Sequence, residues 1–483
     1  MRISINNFKS IEDLVRYELK PLTIISGVNS SGKSSFVQLL LLLKQTIERN
    51  SPDEQLYLNG ELYKVRNFAD ILSGKNTENK LRVEFEFSKK EDLRGNSDKR
   101  ISIFDSFEDY NITVELIYDF LDGKIFISEF TVKYLLPEGE KKEQFLVCSA
   151  KNEKGKINYT IEANNNLFGK DLWHGKPINV TSIIYSSIYP WYYQMHNKVE
   201  QESPNKEADN IYQEKLETIF FNLEGIKELI DSIFKSFSYI GPIRQEPRDE
   251  YTVREEHNTV GSDGSFVSQV LENNSNKPIE FYKPTFRDNG EVFYEKVKTT
   301  LLNAVKYWMC DVFKIGTDIY VEKTNDVYVI YLVGEKGIKT TIKHVGFGIS
   351  QVLPIIVEGL LMKINSTLIL EQPEIHLHPK LQSLLFDYLH SLTLQGKNII
   401  TETHSDHFIT RMRRRVAEDM QNNLADNVNL TFIETLKGKV LFRSIDVDDL
   451  GAIEYFPENF IDQTSSELKA ILNAQIKKQA TKK

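Results

Sequence analysis

The chain has 483 residues, enough for roughly three domains of about 150 residues or for one large domain with insertions. Its formal net charge of −9 argues against a general polyanion binder and leaves room only for a local basic patch. Two cysteines, Cys148 and Cys310, cannot build a disulfide framework and lack metal-ligand spacing, which predicts free thiols in a reducing cytoplasm.

Met1-Arg2-Ile3-Ser4-Ile5 has no signal-peptide pattern, and Leu39 to Leu43 falls far short of the roughly 20 apolar residues of a membrane span. A cytoplasmic protein without a membrane partner is therefore expected. Arg2 to Phe8 reads as a strand and Leu14 to Leu19 as its hairpin arm. Leu22-Thr23-Ile24-Ile25 is a short β-rich run of the kind buried in a sheet. It enters Gly27-Val28-Asn29-Ser30-Ser31-Gly32-Lys33-Ser34, a complete G-x-x-x-x-G-K-S phosphate loop, and then the apolar helix Phe36 to Leu43.

The glycines of this loop let successive N–H groups converge on a phosphate, and the helix behind it adds the positive end of its dipole. Asn29, Ser30, Gly32, Lys33, Ser34 and Ser35 are the candidate nucleotide-binding residues. Lys33 would reach the β- and γ-phosphates of ATP, and the Ser34 hydroxyl would ligate Mg²⁺.

Downstream, Ser51 to Glu54 breaks the pattern and Phe68 to Leu72 reads as a helical turn. Leu81–Phe87, Ile112–Tyr118 and Ile125–Val132 alternate as antiparallel strands with one wet face, with Asp122-Gly123-Lys124 as a hairpin turn. Residues 164–210 read as an irregular insertion, in which Trp191-Tyr192-Tyr193 is packing material rather than a binding platform. Ile211 to Phe237 reads as helix and Ser238 to Ile240 as strand. Helix is expected again from Asn289-Gly290 to about Lys314, followed by two strands around Asn325-Asp326.

The last third carries most of the remaining polar signals. Gly346-Phe347-Gly348-Ile349-Ser350-Gln351 is a glycine turn running into a helix from Val352 to Lys363. Ser366 to Leu370 is a buried strand ending in Glu371-Gln372-Pro373-Glu374, and carboxylates at such a strand end are placed for a ligand. Leu381 to Leu392 is a helix. Lys397 to Thr401 is a strand closing on Glu402-Thr403-His404-Ser405. The next helix carries Arg411, Arg413, Arg414 and Arg415, read as a solvated face rather than a grip on nucleic acid. His376, His378, His404 and His407 lack the third-ligand spacing of a zinc site, and Asp446 to Asp449 reads as a surface turn.

Taken together, residues 1–75 and 236–462 resemble ABC-type ATPases of the SMC, RecF and overcoming-lysogenisation-defect (OLD) group. Ile5 to Ile11, Gly241-Pro242 with Arg244, Glu371 to Pro379 and Gly451 to Phe460 resemble its bacterial branch of AAA-family ATPases, several of which serve anti-phage defence. The resemblance implies an α/β ABC-type P-loop head with a mixed core sheet, an antiparallel β subdomain and an irregular α/β insertion in place of a long coiled coil. It divides the chain into core halves at 1–75 and 236–462, a subdomain with insertion at 76–235 and a polar tail at 463–483.

Position by position, the resemblance makes Gly27 to Ser34 the Walker A motif and Leu368 to Glu371 the Walker B strand, with Glu371 holding Mg²⁺ through water. Gln372 stands where the general base is normally Glu, and an amide cannot accept the proton of the attacking water. Either Glu374 takes that role or hydrolysis is slow and ATP gates a clamp. His404 matches the switch histidine, and Gln245 the Q-loop glutamine that senses Mg²⁺. Gly346, Gly348, Ser350 and Gln351 match a signature motif that reaches the γ-phosphate of an opposite subunit. A homodimer or higher homo-oligomer, a separate effector protein and possible nucleic-acid contact follow from the resemblance. A self-contained nuclease would need an acidic metal cluster that the sequence lacks.

Overall fold

The computed structural model describes residues 1–28, 31–51, 53–88, 111–121, 123–135, 144–153, 156–163, 178–180, 183–186, 188–191, 223–420 and 423–453, with short helical pieces at 471–472 and 474–475. The chain divides into two compact units, Met1–Leu19 with Ser34–Phe237, and Lys20–Lys33 with Ser238–Lys483. Among the described residues no helix is long and apolar enough to cross a membrane.

The first unit is built on an antiparallel sheet in the order Val15–Glu18, Arg2–Asn6, Leu81–Ser88, Asn111–Leu121, Lys124–Leu135, Gln144–Glu153, Lys156–Ala163 and Ile178–Val180. Tyr17, Ile3, Phe85, Val114, Val132 and Leu146 lie opposite one another on six neighbouring strands and are all buried. Shifting any strand by one residue would turn its buried set to solvent, so burial fixes the register. The helix Lys33–Arg49 runs in this unit from Ser34, with Phe36, Val37 and Leu39 to Leu43 buried. That is the all-round apolar helix the sequence predicts. Three strands of three residues, Ile178–Val180, Ile184–Ser186 and Tyr189–Trp191, fall within the insertion read as irregular, because so short a strand leaves no period to detect. Tyr192 and Tyr193 lie outside the described residues.

The second unit holds the core sheet, ordered Phe237–Ile240, Thr367–Glu371, Asn398–Glu402, Leu22–Gly27, Val428–Leu436 and Lys439–Ile445. Thr367–Glu371, Asn398–Glu402, Leu22–Gly27 and Val428–Leu436 run parallel, while Lys439–Ile445 is antiparallel, so the sheet is mixed as expected. The inner strands are continuous apolar runs because helices such as Phe347–Leu361 and Pro379–Leu394 share their core. A smaller sheet pairs Val327–Val333 with Asp318–Thr324, the two strands read around Asn325-Asp326.

Two readings need correction. The run after Asn289-Gly290 is not helix: Val292–Thr300 is a strand paired along its length with Pro278–Phe286. Asn289-Gly290 is the hairpin turn, with Gly290 at φ +82°, and the β-branched and aromatic residues behind it favour the extended state. Helix starts only at Leu301–Lys306 and continues as the π-helical Tyr307–Val312. The arginines of Asp406–Glu418 are not all on a solvated face either, since Arg415 is buried against Asp387 of the preceding helix.

Candidate nucleotide site

Leu22–Gly27 is buried along its whole length between two parallel neighbours, which brings the phosphate loop out at the carboxyl edge of the sheet. Gly27 ends the strand at φ +151°, and a Cβ there would stand 2.1 Å from the Ile433 carbonyl oxygen. Only glycine fits so close a backbone crossing. Gly32, at φ +94°, makes the second bend before the helix opens at Lys33. Asn29 and Ser30 lie outside the described residues.

Lys33 is buried, and its Nζ donates to the Val28 carbonyl of its own loop at 2.5 Å. Burial holds its pKa below the ordinary lysine value, against the opposing pull of Glu402. Ser34 and Ser35 follow in the helix and belong to the first unit, where the Ser35 hydroxyl lies 3.1 Å from that of Ser10.

Glu371 and Glu402 end neighbouring parallel strands in register, so their side chains leave the same face of the sheet. The Tyr239 hydroxyl donates to Glu371 Oε1 at 2.7 Å. Arg244 is buried, and one terminal nitrogen donates to the carbonyls of Glu371 and Gln372 at 3.2 and 3.4 Å. Burial lowers its pKa to about 10, with Glu374 and Tyr239 pulling the other way. The backbone N–H of Gln372 extends the ladder to the Glu402 carbonyl at 2.8 Å, with the residue held at φ +45°. A non-glycine residue in that region is a strained position of the kind found at functional sites.

Glu374 is buried, and its Oε1 accepts the His404 backbone N–H at 2.7 Å. Its other oxygen has no hydrogen-bond partner. Burial raises its proton affinity, against the His404 N–H and the Arg244 charge. His404 is held below the ordinary histidine value by partial desolvation and by Lys33. The Gln245 N–H donates to the Asp263 carbonyl at 2.8 Å, while its buried side-chain oxygen has no partner.

The signature-like segment is placed differently from the sequence reading. Its helix begins at Phe347, so Gly348, Ser350 and Gln351 are helical residues and only Gly346 is in the turn. Gly346 and Phe347 are exposed. Ser350 is buried with its hydroxyl donating to the Phe347 carbonyl at 2.7 Å, and Gln351 is buried with its amide on the Gln245 carbonyl at 3.3 Å. A Cβ on Gly348 would meet the His376 carbonyl oxygen at 2.3 Å, so this helix start rests on the turn that follows Glu374. His378 caps the next helix, accepting the Lys380 N–H.

Glu371, Gln372, Glu374, Lys33 and His404 thus come together at one edge of the sheet. Glu402, Tyr239 and Arg244 join them without having been assigned a role from sequence. Glu402 carries the same signal as Glu371, a carboxylate closing a buried strand; Tyr239 carries none. The site fits a nucleoside triphosphate with a divalent cation, since it combines a buried lysine with two adjacent carboxylates that oppose one another unless a cation lies between them.

A buried strand, a glycine-bent loop and a helix opening on lysine, faced by a carboxylate two strands away, define an α/β P-loop nucleoside triphosphatase. The chain belongs to the AAA ATPase domain family, which matches residues 1–409. Similar solved structures include the SMC head domain from Thermotoga maritima, at 11% identity over 92% of this chain and 98% of that chain with a TM-score of 0.37. Another is the Smc head domain with an extended coiled coil bound to the C-terminal domain of ScpA derived from Pyrococcus furiosus, at 9% identity over 97% and 98% with a TM-score of 0.40. No curated protein matches the chain.

Proposed function

We propose that this chain binds and hydrolyses ATP at the Gly27–Ser34 loop and uses the cycle as a conformational switch in a head-to-tail, ABC-type dimer. The observation that carries the reading is Lys33, buried and turned onto its own loop beside the paired strand ends of Glu371 and Glu402. Lys33 neutralises the β- and γ-phosphates, and the loop N–H groups orient them. Glu371 and Gln245 would hold Mg²⁺, which when bound neutralises charge on the phosphate oxygens.

Gln372 cannot act as a base, so Glu374 is the group that accepts the proton of the attacking water as the bond from the γ-phosphorus to its bridging oxygen breaks. One of its oxygens is buried without a hydrogen-bond partner, and burial raises its proton affinity, so it would be a stronger base than an exposed carboxylate. His404, held below the ordinary histidine value by burial and by Lys33, would contact the γ-phosphate. The exposed Gly346 and Phe347 present the signature-like helix start to a second subunit, and the Gly348–His376 contact couples that surface to the turn carrying Glu374. Resemblance to the defence-associated branch supports a separate effector as what the switch controls.

A second reading, an ATP-gated clamp with slow turnover, is favoured by Gln372 itself. Phosphate release with and without DNA, using Lys33→Ala as control, separates the two. Turnover abolished by Lys33→Ala supports the switch, ATP binding without turnover supports the clamp, and unchanged ATP affinity in Lys33→Ala refutes both.

A further inference from the structure

We propose that Tyr239 is a positioning residue for the divalent cation of this site, its phenol donating to Glu371 Oε1 at 2.7 Å and fixing the rotamer in which that carboxylate meets the metal. The inference rests on the ATP reading above. The backbone of Glu371 is already held. It ends a parallel strand in register with Glu402, the Gln372 N–H extends that ladder to the Glu402 carbonyl, and Arg244 donates to the carbonyls of both Glu371 and Gln372. Those contacts act on the main chain, whereas the Tyr239 phenol acts on the side chain itself, at Oε1. A hydroxyl donating to an ionised carboxylate is among the stronger hydrogen bonds.

The segment that supplies the donor is shaped for it. Tyr239 sits on the edge strand Phe237–Ile240, next to Thr367–Glu371 in the sheet. Two residues on, a Cβ at Gly241 would stand 2.9 Å from the Tyr239 hydroxyl oxygen and 3.4 Å from the ring carbon bearing it. Gly241 therefore leaves room for the phenol, and Arg244, three residues further, braces the backbone of the same carboxylate. One stretch of six residues thus positions both the main chain and the side chain of Glu371.

Tyr239→Phe removes one oxygen and keeps the ring. The experiment follows binding of a fluorescent ATP analogue as Mg²⁺ is titrated, alongside the melting temperature of each protein. Partners that orient a metal ligand typically contribute about 10–100-fold in metal affinity, so the half-saturating Mg²⁺ concentration should rise by about that factor. Affinity without Mg²⁺ and the melting temperature should match wild type, turnover should recover at high Mg²⁺, and Tyr239→Phe should add nothing in a Glu371→Gln background. Half-saturating Mg²⁺ within twofold of wild type overturns the proposal. Joint loss of Mg²⁺-free binding and thermal stability also overturns it, by showing a packing role. A wild-type chain that binds no analogue at any Mg²⁺ concentration instead overturns the ATP reading beneath it.

Discussion

Arg415→Met tests how the two helices that follow the site are held together. Asp387 of Pro379–Leu394 is fully buried, and Arg415 of Asp406–Glu418 meets it in a fork, Nε to Oδ1 at 2.7 Å and a terminal nitrogen to Oδ2 at 3.1 Å. Arg415 also donates to the Gly290 carbonyl at 3.1 Å and pairs with Glu418. Arg411 adds one contact to Asp387 Oδ2, at 3.2 Å. Removing Arg415 leaves a buried carboxylate with that single partner, which costs about 3–5 kcal/mol and lowers the melting temperature by roughly 6–20 °C for a unit of this size. Arg411→Met leaves the fork intact and costs about 1 kcal/mol. Replacing both members, Asp387→Leu with Arg415→Met, should cost less than the sum of the single changes, because no lone charge remains in the core. Calorimetry on the four variants reads all of this. Equal losses in Arg411→Met and Arg415→Met, or an Arg415→Met loss below about 1 kcal/mol, would refute the clamp.

Gly27→Ala puts a methyl group 2.1 Å from the Ile433 carbonyl at a left-handed backbone angle, so ATP binding should be lost and melting lowered; a titration with wild-type affinity would count against the site. Lys397 is buried with its Nζ on the Gly359 and Leu360 carbonyls, and burial lowers its pKa to about 7 from 10.5. The unfolded chain therefore binds more protons between those values, so this lysine makes stability rise with pH from about 7 to about 10.5. The gap between wild type and Lys397→Met should widen in favour of wild type across that window, and a pH-independent gap would contradict it. Because Ser350 is buried, the head-to-tail dimer is better probed at the exposed Phe347. Phe347→Arg and Lys33→Ala chains, each inactive alone, should regain one intact site in every mixed dimer when combined, with about half of the dimers mixed after random exchange; no recovery on mixing, or a monomer at every ATP concentration, would argue against composite sites.

What the sequence made legible was what the backbone demands locally. Gly27 and Gly32 are required by bends within one loop, and the all-apolar helix behind them by burial on every side. Alternation placed the strands of the first unit because their apolar residues share one buried face, and it correctly paired Asp318–Thr324 with Val327–Val333. It failed at Val292–Thr300, whose partner strand carries half of the signal, and a single strand read alone left its Lys and Glu residues looking like a helical surface. Partnerships across the chain left no local trace. Arg415 reads as one more charge in a basic run until Asp387, 28 residues away, is brought against it, and Tyr239 is an ordinary aromatic until Glu371, 132 residues away, accepts its hydroxyl.

Glu402 is different, because the rule that singled out Glu371 applies to it without change. Both close a buried parallel strand, both lie at the same level of the sheet, and a charge at that place is costly unless something neutralises it. Lys33 answers for part of that charge from the start of the helix that follows the neighbouring strand Leu22–Gly27, since Glu402 opposes the fall in the Lys33 pKa. Arg244, donating to the Glu371 and Gln372 carbonyls, adds a second buried cation on the far side of the pair.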